Sequence, residues 1–446
     1  MSADPSEIRP LAALVLAAGK GTRLKSGRTK VLHELCGRPL LGYSVAAAEA
    51  LRPERLVVVV GPEADEVRRR FGGRVDFAVQ TQPRGTGDAV QACRQVLEAF
   101  RGDVLVLYGD TPLLRSATLE RLREVKREVG ADLVLLSAPV DVPGIVLRDA
   151  RGRVARIVEA TDATPEQLAI RERNTGVYLL DSELLWKLLA QVGDENAQGE
   201  VYLTDIVELA VRDRLRVEAV QLPGPEEALG VNTRAELVRA MELLRRRIAN
   251  HWLDHGVTIV DPGATYIDAD VEIGADTLIE PGCVIQGTTR IGARVHLKPH
   301  CMIESSRIGD DVEMGPSAHL RPGCEIGAGS RIGNFVEVKN SVLGRGVKAD
   351  HLSYIGDADV GDRASFGCGS VVVNYDGAAK HRTRVGARAF IGCNANLVAP
   401  LEIEPDTYIA AGSTITTHVP EGALAVARAR QRNIEGWVDR RGRRRE

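Results

Sequence analysis

The chain has 446 residues, 44% of them hydrophobic and 27% charged, and its net charge is −3. That length allows two or three domains, and the apolar and charged fractions are those of a globular protein rather than a disordered one. A near-neutral total excludes a global electrostatic claim on nucleic acid, and no apolar run approaches the roughly 20 residues of a membrane span.

The N-terminal MSADPSEIRP is polar, with proline and acids, so no signal peptide is expected and the protein is expected in the cytoplasm. The cysteines, Cys36, Cys93, Cys283, Cys301, Cys324, Cys368 and Cys393, form no C-x-x-C pair. They read as small core residues in a reducing compartment, not as a zinc site. The basic 440-RRGRRRE-446 reads as a solvated tail.

The first apolar run opens into 16-LAAGKGTR-23. Gly19 and Gly21 remove Cβ atoms where a phosphate could approach backbone N–H groups, and Arg23 and Lys30 could neutralise its oxygens. A glycine-rich turn with surface cations is the other reading. The runs 56-LVVVV-60, 104-VLVLY-108 and 133-LVLLS-137 are fit to be buried parallel strands. Helical stretches at 87–100 and 118–129 lie between them. The alternation predicts an open α/β sheet with helices on both faces and ligands at the strand C-termini. In 80-QTQPRGTGDA-89 a Gly-Thr-Gly turn opens a helix and suits a base or ribose. Asp110 ends the strand 104–108, where it could take Mg²⁺ or cap the next helix.

Residues 235–255 lack Gly and Pro and predict one linking helix. After it the pattern changes. Ile267, Ile273, Ile279, Ile285, Ile291, Leu297 and Ile303 recur at a period of six, which neither a helix nor a plain strand produces. A hexapeptide repeat does, three hexads to a coil of a parallel β-helix. Breaks are expected at 304–319 and at 339–384, where Lys339, His351, Tyr354, Asn374, Tyr375 and Lys380 crowd in. Interruptions of a solenoid usually carry function. His351 alone could equally be a polar turn residue.

Taken in order, LAAGKGTR, K-V-L-H, Q-x-x-x-x-G-T-G, Y-G-D, I-V-E, N-T-G and G-V-N resemble the bifunctional bacterial N-acetylglucosamine-1-phosphate uridyltransferase/glucosamine-1-phosphate N-acetyltransferase family. The resemblance runs through 195-ENAQGEVYLTDIV-207 and the hexapeptide region, about residues 11 to 437. It implies a Rossmann-like uridyltransferase domain (1–234), a linker helix (235–255) and a left-handed β-helix acetyltransferase domain (256–446). The implied substrates are UTP, glucosamine-1-phosphate and acetyl-CoA, with Mg²⁺ and a homotrimer. The implied product, UDP-N-acetylglucosamine, is a precursor of peptidoglycan and lipopolysaccharide.

Carried over residue by residue, Leu16, Ala17, Ala18, Gly19, Arg23 and Lys30 would hold the nucleotide and its phosphates. Gln80, Gly85 and Thr86 would read uracil. Tyr108, Gly109 and Asp110 would line the junction, and Gly144, Glu159 and Asn174 the sugar. Asp110 and Asn232 would ligate Mg²⁺. In the acetyltransferase, His351 would be the general base, with Arg321, Lys339, Tyr354, Ser365 and Lys380 on the sugar phosphate. Cys368, Asn374, Tyr375, Cys393, Ala411 and Arg428 would contact acetyl-CoA. The sequence departs from the family pattern in the shortened 141-DVPGIVLR-148, and in Ser365, Cys368 and Cys393, where Asn, Ala and Ser are usual. Fold alone leaves open a transferase for another sugar, or a solenoid that only assembles.

Overall fold

The computed structural model describes residues 9–19 and 21–441. The first eight residues, Lys20 of the glycine turn and residues 442–446 of the basic tail lie outside the described residues, so the readings made there are not taken further. The chain divides into two compact units within the helix Arg234–Asp254, after Leu244. Among the described residues no helix is long and apolar enough to cross a membrane.

In the first unit the strand Leu11–Leu16 is buried at every position because it is central. It pairs in parallel with Arg55–Val60 on one side and Asp103–Tyr108 on the other. Its side chains alternate between two apolar layers. Ala13 and Val15 join Leu41, Val45, Leu119 and Leu122 of the helices Leu40–Glu49 and Ser116–Val129. Ala12 and Leu14 join Val90, Leu185, Leu188 and Ile206 on the opposite face. Helices therefore cover both faces, as the strand–helix alternation predicts.

Two features differ from the sequence reading. The strand Arg173–Asp181 runs antiparallel between Asp103–Tyr108 and Leu133–Ala138. Its start therefore lies at the edge where the parallel strands end, and Asn174 is carried there, opposite Ser137. The stretch 87–100 is a regular helix only over Thr86–Gln91. Beyond it the chain winds in tighter turns, Cys93 N to Val90 O and Arg94 N to Gln91 O, which helical side-chain spacing alone does not distinguish from an α-helix.

The second unit is a three-sided prism, the left-handed parallel β-helix of hexapeptide proteins. Its strands, each two to four residues long, form parallel sheets of ten, nine and eight. Ile267, Ile285, Ile303, Leu320, Val338 and Ile355 stack as one ladder inside it. The expected breaks do not interrupt this ladder. One residue fewer separates Ile303 from Leu320 than Ile285 from Ile303, so a corner is tightened while pairing continues. The same happens between Val338 and Ile355. The stretch around 374–382 leaves the prism, and Val360 pairs across it with Val385.

Candidate active sites

At the open edge of the first sheet, Gly109 N donates to Leu16 O at 2.9 Å and locks two strand ends side by side. Ala17 N still reaches Val59 O at 2.8 Å, Ala18 is half-buried, and Gly19 faces open space. Gly21 has φ 65°, and a Cβ there would lie 2.4 Å from Lys30 Cβ, so this glycine lets the loop close on Lys30. Lys30 is buried despite its charge. Its ammonium pairs with the Asp110 carboxylate and donates to Asn232 Oδ1 at 2.9 Å.

Asp110 and Asn232 are strapped together. Val231 N donates to Asp110 O at 2.9 Å, and Glu236 accepts the N–H groups of Asn232 and Thr233 at 2.8 and 2.7 Å. Burial alone would raise the Glu236 carboxyl, but these hydrogen bonds outweigh it and hold it below its usual range. Asp110 caps no helix. The next one starts at Ser116, and there Glu227 accepts Arg115 N and the Thr118 hydroxyl at 3.0 and 2.7 Å. One charged and one neutral oxygen therefore converge on a cation, a donor set that fits Mg²⁺. Arg23 stands exposed in the turn Thr22–Leu24, and its charge helps hold Glu236 low.

Gln80 is buried, and its amide donates to Gly85 O at 3.0 Å and Asp88 Oδ2 at 2.9 Å, shaping the Gly-Thr-Gly turn. Gly87 N donates to Val201 O at 2.8 Å, and Thr86 Oγ1 accepts Leu203 N at 3.1 Å. The turn is thus fastened to 201–203. A Cβ on Gly176 would sit 1.8 Å from a ring carbon of Tyr108, so the N-T-G glycine makes room for that ring. Burial, with Glu159 and Asp110 nearby, pushes the Tyr108 hydroxyl well up. Gly144 pairs with Glu159, and its Cβ position is 3.2 Å from Asn174 Cβ, so these three residues meet. Asn174 donates to the Tyr178 hydroxyl at 2.7 Å.

Sequence reasoning assigned no role to Tyr202, Thr204 or Asp205. The Thr204 hydroxyl donates to Glu159 at 3.3 Å, and the Tyr202 hydroxyl is enclosed with Thr161 beside it. Burial raises the Glu159 carboxyl. Burial, then Glu208 and Asp162, pushes Asp205 up to about 6. The signal was the polar residues inside the otherwise apolar 201-VYLTDIV-207.

On the prism, Arg321 and Lys339 occupy successive rungs, with Arg321 N donating to Val338 O at 2.9 Å. Lys339 pairs with Gly356, across which Tyr354 lies, since a Cβ on Gly356 would be 2.5 Å from the Tyr354 hydroxyl oxygen. Asp357, also without an assigned role from sequence, is buried beneath them. It accepts Asn340 Nδ2 at 2.6 Å and Asn374 Nδ2, and Lys339 Nζ stands 3.5 Å away. Burial would raise Asp357, but these bonds hold it low. Asn374 also reaches the Tyr354 hydroxyl at 3.3 Å. Lys380 returns from the excursion to meet Lys339. That contact, reinforced by Arg321, lowers the Lys380 ammonium. Arg321 also pairs with Glu337 at 3.2 Å, so three cations face two carboxylates, and the excess positive charge suits an anion.

His351, Cys368, Cys393 and Ala411 form a column along one edge. Each precedes a left-handed corner residue, Leu352 (φ 40°), Gly369 (75°), Asn394 (53°) and Gly412 (72°). Gly369 N to Leu352 O, Asn394 N to Cys368 O and Gly412 N to Cys393 O, at 3.0, 2.8 and 2.8 Å, tie the corners together. Three rungs of about 4.8 Å make this edge roughly 14 Å long. Arg428 is exposed just past Ala427, whose carbonyl accepts Thr414 N. Tyr375 is exposed on the 374–382 excursion. Ser365 lies on the ten-stranded face, paired with Lys348 of the strand that ends at His351, and Tyr354 lies on the nine-stranded face.

Comparison with known proteins agrees with both halves. A MobA-like NTP transferase domain matches residues 13–197, and the bacterial transferase hexapeptide repeat matches 270–305 and 305–340. Over 448 residues the chain is 46% identical to the bifunctional protein GlmU of Trichlorobacter lovleyi, covering 96% of this chain and 97% of that one. It is 46% identical to GlmU of Thermoanaerobacter pseudethanolicus (97% and 98% covered) and 45% identical to that of Geobacillus thermodenitrificans (96% and 97%). Near-complete coverage spans both the nucleotide-type sheet edge and the hexapeptide prism, and so the chain belongs to the bifunctional GlmU family of UDP-N-acetylglucosamine-synthesising enzymes.

Proposed function

We propose that the two reactions run at two separate sites, acetyl transfer on the prism and uridylyl transfer at the sheet edge. One observation supports this most strongly. Each unit focuses positive charge on an enclosed aspartate, Lys30 on Asp110 and Lys339 on Asp357, and each implied sugar substrate carries a phosphate.

On the prism, Arg321, Lys339 and Lys380 would hold the phosphate of glucosamine-1-phosphate, with Tyr354 against the sugar. The amine nitrogen attacks the thioester carbonyl of acetyl-CoA, its proton passes to His351, and the thiol of coenzyme A leaves. Coenzyme A would follow the column from His351 to Ala411, with Tyr375 and Arg428 at its flanks. At the sheet edge, a phosphate oxygen of N-acetylglucosamine-1-phosphate attacks the α-phosphorus of UTP in line, and pyrophosphate leaves. The 16–19 backbone and Lys30 would hold the triphosphate, Gln80, Gly85 and Thr86 the base, and Gly144, Glu159, Asn174, Tyr202 and Thr204 the sugar. Asp110 and Asn232 would hold Mg²⁺, which supplies charge neutralisation at the phosphates.

Tyr375 and Arg428 are exposed beside the column and would leave much of coenzyme A uncovered on one chain, which favours a site completed by a second chain, and hence a cyclic homotrimer. UTP and acetyl-CoA as substrates favour the cytoplasm. The test is a pair of assays on the purified chain. Thiol release from acetyl-CoA should require glucosamine-1-phosphate, and pyrophosphate release should require UTP with the acetylated sugar. Turnover with other sugar phosphates at equal rate would contradict the assignment.

A further inference from the structure

Cys368 and Cys393 occupy equivalent corners on adjacent rungs. The register carries Ser365 opposite Phe390 and Phe366 opposite Ile391. It continues through the corner, since Gly367 N donates to Ile391 O at 2.7 Å and Asn394 N to Cys368 O at 2.8 Å. Parallel rungs stand about 4.8 Å apart, inside the roughly 4.4–6.8 Å between Cα atoms that a disulfide spans, and a tilt of the two corners toward each other brings the Cβ atoms within the about 3.5–4.5 Å it also needs. Cys393 is exposed and Cys368 half-buried, whereas Cys93, Cys283, Cys301 and Cys324 are buried. Reactivity toward oxidants follows exposure as well as thiolate character. The column therefore presents two reachable thiols, neighbours across one rung, between His351 and Ala411.

We propose that this pair is an oxidation site. A peroxide-class oxidant joins Cys368 and Cys393 in a reversible disulfide that stops acetyl transfer while uridylyl transfer continues. The second half of the claim rests on the reading that coenzyme A lies along this edge. In the chemistry, one thiolate attacks the peroxide O–O bond, giving a sulfenic acid and a hydroxide that takes up the thiol proton as water. The second sulfur then displaces the sulfenic hydroxyl, which leaves with the second thiol proton as water. Two sulfurs are oxidised by one electron pair in all, and both peroxide oxygens end in water. The bridge draws both side chains across the middle of the column and removes two S–H donors from it.

The experiment uses the full-length enzyme, reduced, freed of reductant and titrated with hydrogen peroxide. Peptide mapping without reduction should find one peptide joining Cys368 to Cys393. Acetyl transfer should fall with the oxidised fraction and return with dithiothreitol, while pyrophosphate release is unchanged. Acetyl-CoA present during oxidation should slow the bridging. Cys393→Ser and, separately, Cys368→Ser are each compared with their own untreated activity and should no longer respond. Absence of the joined peptide, or acetyl transfer lost equally in both serine variants, would overturn the proposal. So would a complete bridge with undiminished acetyl transfer. A reduced enzyme unable to acetylate would instead defeat the functional assignment, and the joined peptide would still decide whether the oxidation site exists.

Discussion

The ammonium of Lys30 and the carboxylate of Asp110 meet as a mostly buried ion pair, with Asn232 completing the cation's surroundings. The geometry places a protein cation where the Asp110 and Asn232 oxygens converge. Lys30→Met should leave that carboxylate uncompensated and cost up to about 3–5 kcal/mol of stability in metal-free buffer. Mg²⁺ should then raise the melting temperature of the variant more than that of the wild type. Equal shifts in the two proteins would show that the ammonium and the metal do not share a place.

A second expectation concerns pH. Asp205 is pushed up to about 6, by burial first. For a carboxyl raised on folding, the folded state binds more protons between the unfolded value and about 6. Stability is therefore lost as pH rises through that window. Asp205→Asn removes the loss, and after allowance for partial exposure the gain should be on the order of 1 kcal/mol above pH 6 and near zero at pH 4. Thermal melts of the variant and wild type at pH 4 and pH 8 check this, and a gain independent of pH would contradict it.

Much of this was legible because the physical constraint is local. A period of six admits only a coil of short strands, and the stacked ladder from Ile267 to Ile355 follows from it. The expected break at 304–319 is a corner shortened by one residue, and the one at 339–384 holds another such corner together with the 374–382 excursion, a division invisible without knowing which residues pair. The ion pair of Lys30 with Asp110 joins residues far apart in sequence, and it forms only once the loop after the first strand folds back beside the end of Asp103–Tyr108. The antiparallel course of Arg173–Asp181 was not legible either, since its apolar run resembles those of its parallel neighbours. Asp357 and Thr204 were passed over because an acid or hydroxyl within a motif has no visible partner until Lys339 and Glu159 are placed beside it.

Gly356→Ala should separate position from chemistry on the prism. Its Cβ would meet the Tyr354 ring and hydroxyl first, the hydroxyl oxygen at 2.5 Å. Misplacement by about 1 Å can cost up to about 100-fold in rate. Acetyl transfer should fall toward that extent while pyrophosphate release and the circular dichroism spectrum are kept. Full acetyl transfer would remove Tyr354 from the site.

The proposed trimer gives a complementation test. Mixed and reassembled chains carrying His351→Ala in one and Arg428→Ala in the other should regain part of the acetyl transfer that each lacks alone, if a site draws on two chains. No recovery in mixtures shown by mass to contain hybrid trimers would place each site within one chain.

The central claim is that one chain holds two independent reactions, and crossed variants test it most directly. Asp110→Asn and His351→Ala are each assayed for both. The account predicts that Asp110→Asn loses about 100-fold or more in pyrophosphate release, because even groups that merely support a metal ligand cost about 10–100-fold, and keeps acetyl transfer. His351→Ala should lose about 10²–10⁴-fold in acetyl transfer and keep pyrophosphate release. Either variant losing both activities in parallel, with its fold intact, would contradict the account.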